Sequence, residues 1–350
     1  MAYTTIDDGS AYHQTITYSG NGASRSITNT GNSNLKPDWV WIKERNNAVS
    51  HRIFDSSRGA TKRMFSNNTD AESTQSNSLT AFNTDGFSLG DGGSVNGGSD
   101  TYVAFQWAAN GGTTSSDSNG SITSTVQANT TAGFSIVTYT GNASSGATVG
   151  HGLGKAPSWY ICKRRANTGH WEVYHEENTS APQTEHIRLS ADSATEDSNV
   201  YWNDTAPTSS VFSLGTHVNV NENANTYVAY CFAEIKGYSK FGSYTGNGNA
   251  NGTFVYTGFK PAFVITKRTN STSDWHIDDN ARDTFNPTDK RVFANLNNAE
   301  DTGDSRDFLS NGFKMRNTFG GQNASGDTYI YMAFAEHPFV SSKGVPVTAR

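Results

Sequence analysis

Residues 100–109 read DTYVAFQWAA, and two near copies follow, NTYVAYCFAE over 225–234 and DTYIYMAFAE over 327–336. Within the first, Tyr102, Ala104 and Gln106 fall on one face of an extended chain and Val103, Phe105 and Trp107 on the other. That alternation, rich in aromatic and β-branched residues, reads as a β-strand. A strand repeated at domain-sized intervals reads as the closing element of a unit used three times.

The rest of the unit lies upstream of each copy. KPDWVWIKERN starts at Lys36, KAPSWYICKRRAN at Lys155 and KPAFVITKRTN at Lys260. Each sets Lys and Pro before an aromatic (Trp39, Trp159, Phe263) and runs through apolar residues to a lysine (Lys43, Lys163, Lys267). YSGNG, YTGNA and YTGNG, from Tyr18, Tyr139 and Tyr244, come earlier still. The motif proline and the closing tyrosine are 65, 70 and 68 residues apart in the three copies (Pro37 to Tyr102, Pro157 to Tyr227, Pro261 to Tyr329). A period of roughly 100–120 residues is too long for a solenoid, so each copy is expected to be a domain with its own core. Short strands punctuated by turn signals such as DGFSLG and NGFKMR predict an all-β chain of three tandem antiparallel β-sandwiches. The expected divisions are an N-terminal lead or anchor over 1–15, a first sandwich over 16–112, a Gly/Ser/Thr linker over 113–131, a second sandwich over 132–236, and a third over 237–350 that ends in an exposed tail. The lead could add a strand to a neighbour's sheet edge. The short joint near EIKGYSK predicts that the second and third copies pack more tightly than the first two.

Composition narrows the function. The net charge is −6 with no basic block, so nucleic acid is not an expected partner. Apolar runs are far too short to span a bilayer. MAYTTIDDGS has no basic end leading into an apolar stretch, so no secretory signal is expected, and reaching an outside surface would need another route such as release by cell lysis. The two cysteines, Cys162 and Cys231, are no disulfide framework and read as small strand residues.

Catalytic signatures are missing from the sequence. There is no Gly-x-Ser-x-Gly elbow, phosphate loop or dinucleotide fingerprint. HWEVYHEE offers His170, Glu172, His175 and Glu176, but on a strand His170 and Glu172 share a face that His175 does not. The alternating acids of laminarinase-type sandwich glucanases do not occur. The chain is therefore expected to be non-enzymatic, with no metal and no cofactor. Trp39, Trp41, Trp107 and Trp159 lie in the repeated strands and read as core, whereas Trp171, Trp202 and Trp275 are the candidate ligand-binding surface aromatics.

The stretch KPDWVWIKERNNAVSHRIFDSSRGATKRM, followed by LTAFNTDGFSLG and DTYVAFQWAANGG, resembles a domain of structural proteins of tailed, especially marine, bacteriophages. The opening MAYTTIDDGSAYHQTITYSGNG and the ending YIYMAFAEHPFVSSKGVPVTAR are similar to the ends of such proteins. The resemblance implies a jelly-roll, concanavalin A-like (lectin/glucanase-like) fold and a place on the exterior of a virion, assembled in the host cytoplasm. It supplies no ligand or catalytic residue. The middle copy departs most, lacking FDSSRGATKR, so a role for Arg58, Lys62 or Arg63 does not carry over to it. The expected function is a tail or head fibre or appendage that attaches to host-surface glycans. The alternative is a capsid decoration (cement) or structural tail protein without a ligand, and a polysaccharide-degrading enzyme is the remote option. Expected partners are other virion proteins, further copies of the chain as a homo-oligomer with a trimer favoured, and a host glycan. Nucleic acid and membrane insertion are not expected.

Overall fold

A computed structural model describes residues 3–340 and 343–345. Strands make up 42% of it and helices 6%, so the chain is all-β, built on large antiparallel sheets. Each repeat uses the same four strands in the same spatial order: opening strand, closing strand, Lys-Pro strand, third strand. In the first repeat these are His13–Ser19, Thr101–Trp107, Trp39–Glu44 and Arg52–Asp55. In the second they are Phe134–Thr140, Thr226–Phe232, Trp159–Arg164 and Trp171–His175, and in the third Ser239–Thr245, Thr328–Pro338, Phe259–Arg268 and His276–Asp279. Register is shared too, with Trp39 opposite Trp107, Trp159 opposite Phe232, and Phe263 opposite Phe334.

Both faces of these sheets are buried, for different reasons. Tyr102 and Ala104 join Val40, Phe54, Phe87 and Leu89 in a core internal to the first repeat, where a three-stranded sheet covers them. The second repeat has a matching internal core around Tyr160, Trp202 and Phe212. Val103, Phe105 and Trp107 point the other way, into a cluster that also takes Ile136, Trp159, Tyr230, Phe263 and Phe334. The equivalent residues Trp107, Phe232 and Phe334 meet there as a triangle, with ring centroids 6.4, 5.6 and 5.8 Å apart. Around it, Trp39 stacks on Tyr230 of the second repeat at 4.6 Å, Trp159 lies 5.6 Å from Trp275 of the third, and Phe263 lies 5.1 Å from Phe105 of the first. The contacts run one to two, two to three and three to one. The repeats therefore form a closed ring around a shared aromatic core, whereas the sequence reading gave each copy a separate one. A strand apolar on both faces has two surfaces to cover, and its own second layer covers only one.

The ring also explains the Tyr-x-Gly-Asn motif. Tyr18 stacks on Tyr102, Tyr139 on Tyr227 and Tyr244 on Tyr329, at 5.1, 5.1 and 4.9 Å. Each closing tyrosine donates its hydroxyl to a one-turn helix, at the carbonyls of Gly93, Val218 and Gly320, over 2.6–2.7 Å. The motif glycine lets two backbones touch, since a Cβ on Gly20 would lie 2.0 Å from the Gly97 oxygen.

Two boundary expectations change. Much of the expected linker is ordered strand: Ser115–Asp117 and Ser124–Asn129 extend the second sheet, and buried Gln127 ties it to Ser56 and Ser57 of the first repeat. Polar composition marked a loop, but an edge strand that exposes one face has the same composition. The described part of the lead packs onto its own chain: Tyr3 donates to the Gly258 carbonyl at 2.7 Å and Thr4 to that of Lys236 at 2.6 Å, at the joint between the second and third repeats. Cys162 and Cys231 are free, buried thiols, and burial pushes Cys162 up to about 12. Most of the expected tail, residues 341–342 and 346–350, lies outside the described residues.

Candidate functional site

The junctions between repeats carry the polar chemistry of this molecule. At equivalent positions of the third strands, Trp171 Nε1 donates to the Phe65 carbonyl (2.7 Å), Trp275 Nε1 donates to that of Arg188 (2.8 Å), and His51 Nε2 faces that of Phe293 (2.9 Å). Each bond crosses to a different repeat. Trp171 and Trp275, expected at the surface, are thus fully buried, because the next repeat covers the strand face that a lone sandwich would expose. Trp202 is also fully buried, packed 4.8 Å from Tyr160 in the second repeat's internal core. None of the three is placed to stack on a ligand.

The repeated lysines end at the same junctions. Lys163 Nζ donates to the carbonyls of Thr69 (3.1 Å) and Gly169 (2.7 Å), and Lys267 Nζ to those of Asp192 (3.2 Å) and Arg268 (2.8 Å). Lys43 Nζ donates to the Glu44 and Asn47 carbonyls. Burial pulls all three down, Lys43 and Lys267 to about 8 and Lys163 to about 7.

Two junctions are clamped by charge. Between the first and second repeats, Arg58 bridges Asp55 and Glu72, while Arg165 of the second repeat grips both Glu72 oxygens at 3.0 and 3.1 Å. Between the third and first, Arg282 bridges Asp279 and Glu300, and Arg45 of the first repeat grips Glu300 at 2.9 and 2.7 Å. Between the second and third, His175, Asn178, Thr195 and Thr269 take the places of Asp, Arg, Glu and Arg. The backbone bond persists there (Thr195 N to Thr269 O, 2.8 Å, as Glu72 N to Arg165 O and Glu300 N to Arg45 O), so the equivalence is geometric. The absence of FDSSRGATKR from the middle copy was the sequence signal for this difference. The Lys62 and Arg63 side chains stay outside the clamp and bind Thr74 and Ser73 in a local hairpin, while the Lys62 carbonyl accepts from Arg58 at 3.3 Å.

Where the clamp is missing, a cleft of about 890 Å³ opens, lined by Asn178, Thr195 and Thr269 together with Glu177, Glu185 and Asp197. Tyr244 and Tyr329 form part of its wall, and among the described residues no lysine, arginine or histidine lines it. Thr195 donates to Asn178 Oδ1 at 2.7 Å. Asn178 is only 6% exposed, and its Nδ2 has no partner among the described residues; nor does Glu185 Oε2. Burial, with the Asp197 charge beside it, pushes the Glu185 carboxyl up.

The HWEVYHEE residues do not converge. Glu172 is buried and accepts from Asn219 Nδ2 at 2.7 Å, with His186 Nδ1 2.8 Å from its other oxygen. His170 turns to Ser190, and His175 crosses to the Tyr331 carbonyl at 3.1 Å. Burial pushes the Glu176 carboxyl up and His175 down to about 4. Among the described residues no group of three or more His, Cys, Asp or Glu is arranged to hold a metal ion, and no helix is long and apolar enough to cross a membrane.

Residues 8–338 match, in one span across all three repeats, the model of a family described as a domain of unknown function (DUF7483), and the chain belongs to that family. No curated protein and no solved structure matches it.

Proposed function

We propose that this family member is a non-enzymatic virion protein of a tailed phage, a stubby tail or head appendage whose three concanavalin A-like jelly rolls attach to host-surface glycans. The closed ring is the observation that supports this best. Three sandwiches locked around one aromatic core make a rigid body, and the strand faces that a lone sandwich would present to a ligand are spent on holding it together. What remains for recognition is the polar cleft, whose hydroxyl, amide and carboxylate groups suit sugar hydroxyls better than apolar ligands. We take one chain as the attachment unit, because its threefold arrangement is already complete. The same arrangement would suit a decoration protein seated on a threefold position of a shell. Quantitative mass spectrometry of purified virions separates the two readings. A few copies per particle, with the isolated chain competing for phage adsorption, is the expected result. Copy numbers near that of the major capsid protein would favour decoration, and no copies would overturn both.

A further inference from the structure

We propose that the cleft between the second and third repeats is a single saccharide site per chain, selective for neutral or amino sugars and closed to anionic ones. This deepens the attachment reading and rests on it. Three repeats would ordinarily suggest three equivalent sites. Here the two other junctions are filled by their own side chains, Arg58 with Arg165 and Arg282 with Arg45, each pair converging on one glutamate. The cleft exists because those positions are Asn178, Thr195 and Thr269, and all three line it.

The unfilled hydrogen-bonding capacity describes the ligand. Asn178 Nδ2 is a buried donor without a partner, so leaving it unmatched is costly and a ligand oxygen would satisfy it. Glu185 Oε2 is an unfilled acceptor, and Glu177 and Asp197 add further carboxylates. A sugar supplies both needs, with a ring or hydroxyl oxygen for the amide and hydroxyl or ammonium protons for the acids. A uronate, sialate or sulfated sugar would bring its anion among three carboxylates with no cation in the lining.

The test titrates the full chain, by calorimetry, with maltotetraose, tetra-N-acetylchitotetraose, a glucosamine tetramer and tetragalacturonate. The expected result is binding of at least one of the first three at one molecule per chain, with no binding of tetragalacturonate. Affinity should fall at least tenfold in the Glu185→Ala/Asp197→Ala variant, whose two changes lie on accessible positions at the cleft rim. A His175→Asp/Asn178→Arg/Thr195→Glu/Thr269→Arg variant, which writes the other junctions' clamp into this one, should abolish binding while the melting temperature holds or rises. Three molecules per chain, binding of tetragalacturonate, unchanged affinity in the rim variant, or no binding of any neutral or amino tetramer would each overturn the proposal. Tetragalacturonate bound once per chain would remove the ligand class and leave the attachment reading standing. A chain that blocks phage adsorption yet binds none of the four sugars would remove this site alone.

Discussion

Trp107→Ala distinguishes a shared core from three independent ones. The ring is fully buried and lies at the meeting point of the repeats, against Trp39 of its own repeat (4.5 Å), Phe232 of the second (6.4 Å) and both Phe263 and Phe334 of the third (5.5 and 5.6 Å). Truncating a buried Trp to Ala costs about 3–5 kcal/mol. Unfolding entropy is about 2.1 cal/mol/K per residue, so for 350 residues melting as one unit it comes to about 0.7 kcal/mol/K. A loss of about 4 kcal/mol then lowers a single transition by about 5 °C. If each repeat melted alone, the same loss would fall on one third of the entropy and shift one of three transitions by about 16 °C, leaving the others in place. Scanning calorimetry with the ratio of calorimetric to van't Hoff enthalpy reads the difference directly. One transition, a ratio near one and a shift of about 5 °C are expected. A large shift confined to a third of the enthalpy would refute the shared core. Trp107→Phe should cost much less, because Phe already fills the equivalent place at 232 and 334.

Three further outcomes follow from the junctions. Lys163 sits near pH 7 in the folded chain and would titrate near 10.4 when unfolded, so between those values the unfolded state binds more protons and stability rises with pH. The gain approaches about 4 kcal/mol between pH 7 and pH 10, and Lys163→Met should flatten that slope in denaturant titrations; an unchanged slope would mean the ammonium is solvated. Glu72→Ala strips the shared carboxylate from Arg58 and Arg165 and should cost about 3 kcal/mol. Thr195→Ala, its counterpart at the unclamped junction, should cost under about 1 kcal/mol, and equal losses by urea denaturation would contradict the difference between junctions. Trp171→Ala and Trp275→Ala should each cost about 3–5 kcal/mol and lower the melting temperature, whereas binding aromatics on a free surface would leave it unmoved.

The repeated strands and the core aromatics within them were legible because a repeat prints its own alignment. Trp39, Trp159 and Phe263 hold one position in three copies, and only a buried position tolerates that mixture and nothing polar. The ring was not legible. Trp171 and Trp275 sit beside His, Glu and Asp, and polar neighbours on a strand suggest solvent. Here those neighbours are satisfied inside their own repeats, Asp274 by Asn295 and Glu172 by Asn219 and His186, while the tryptophans themselves cross to the next repeat. Local pattern tells whether a face is covered, but it does not tell by what. The cleft lies between these extremes. Its residues belong to a segment of the middle copy that departs from the others, and the departure was visible, but its meaning required knowing that Arg58 and Arg282 reach across to a neighbour.

Covalent linkage gives the middle copy that freedom. In a homotrimer one sequence serves three interfaces, so a substitution that opens one junction opens all, and the ring would lose its three clamps together. In a single chain, the Arg58–Glu72–Arg165 and Arg282–Glu300–Arg45 networks hold two junctions while the aromatic triangle holds the centre. The third junction keeps its backbone bond between Thr195 and Thr269 and the crossing bonds of His175 and Trp275, enough to keep the repeats in register without filling the space between them. A tripled strand unit therefore does more than multiply one surface. It stabilises the ring at two places, so that a third can stay open and polar, with a buried amide left to pair.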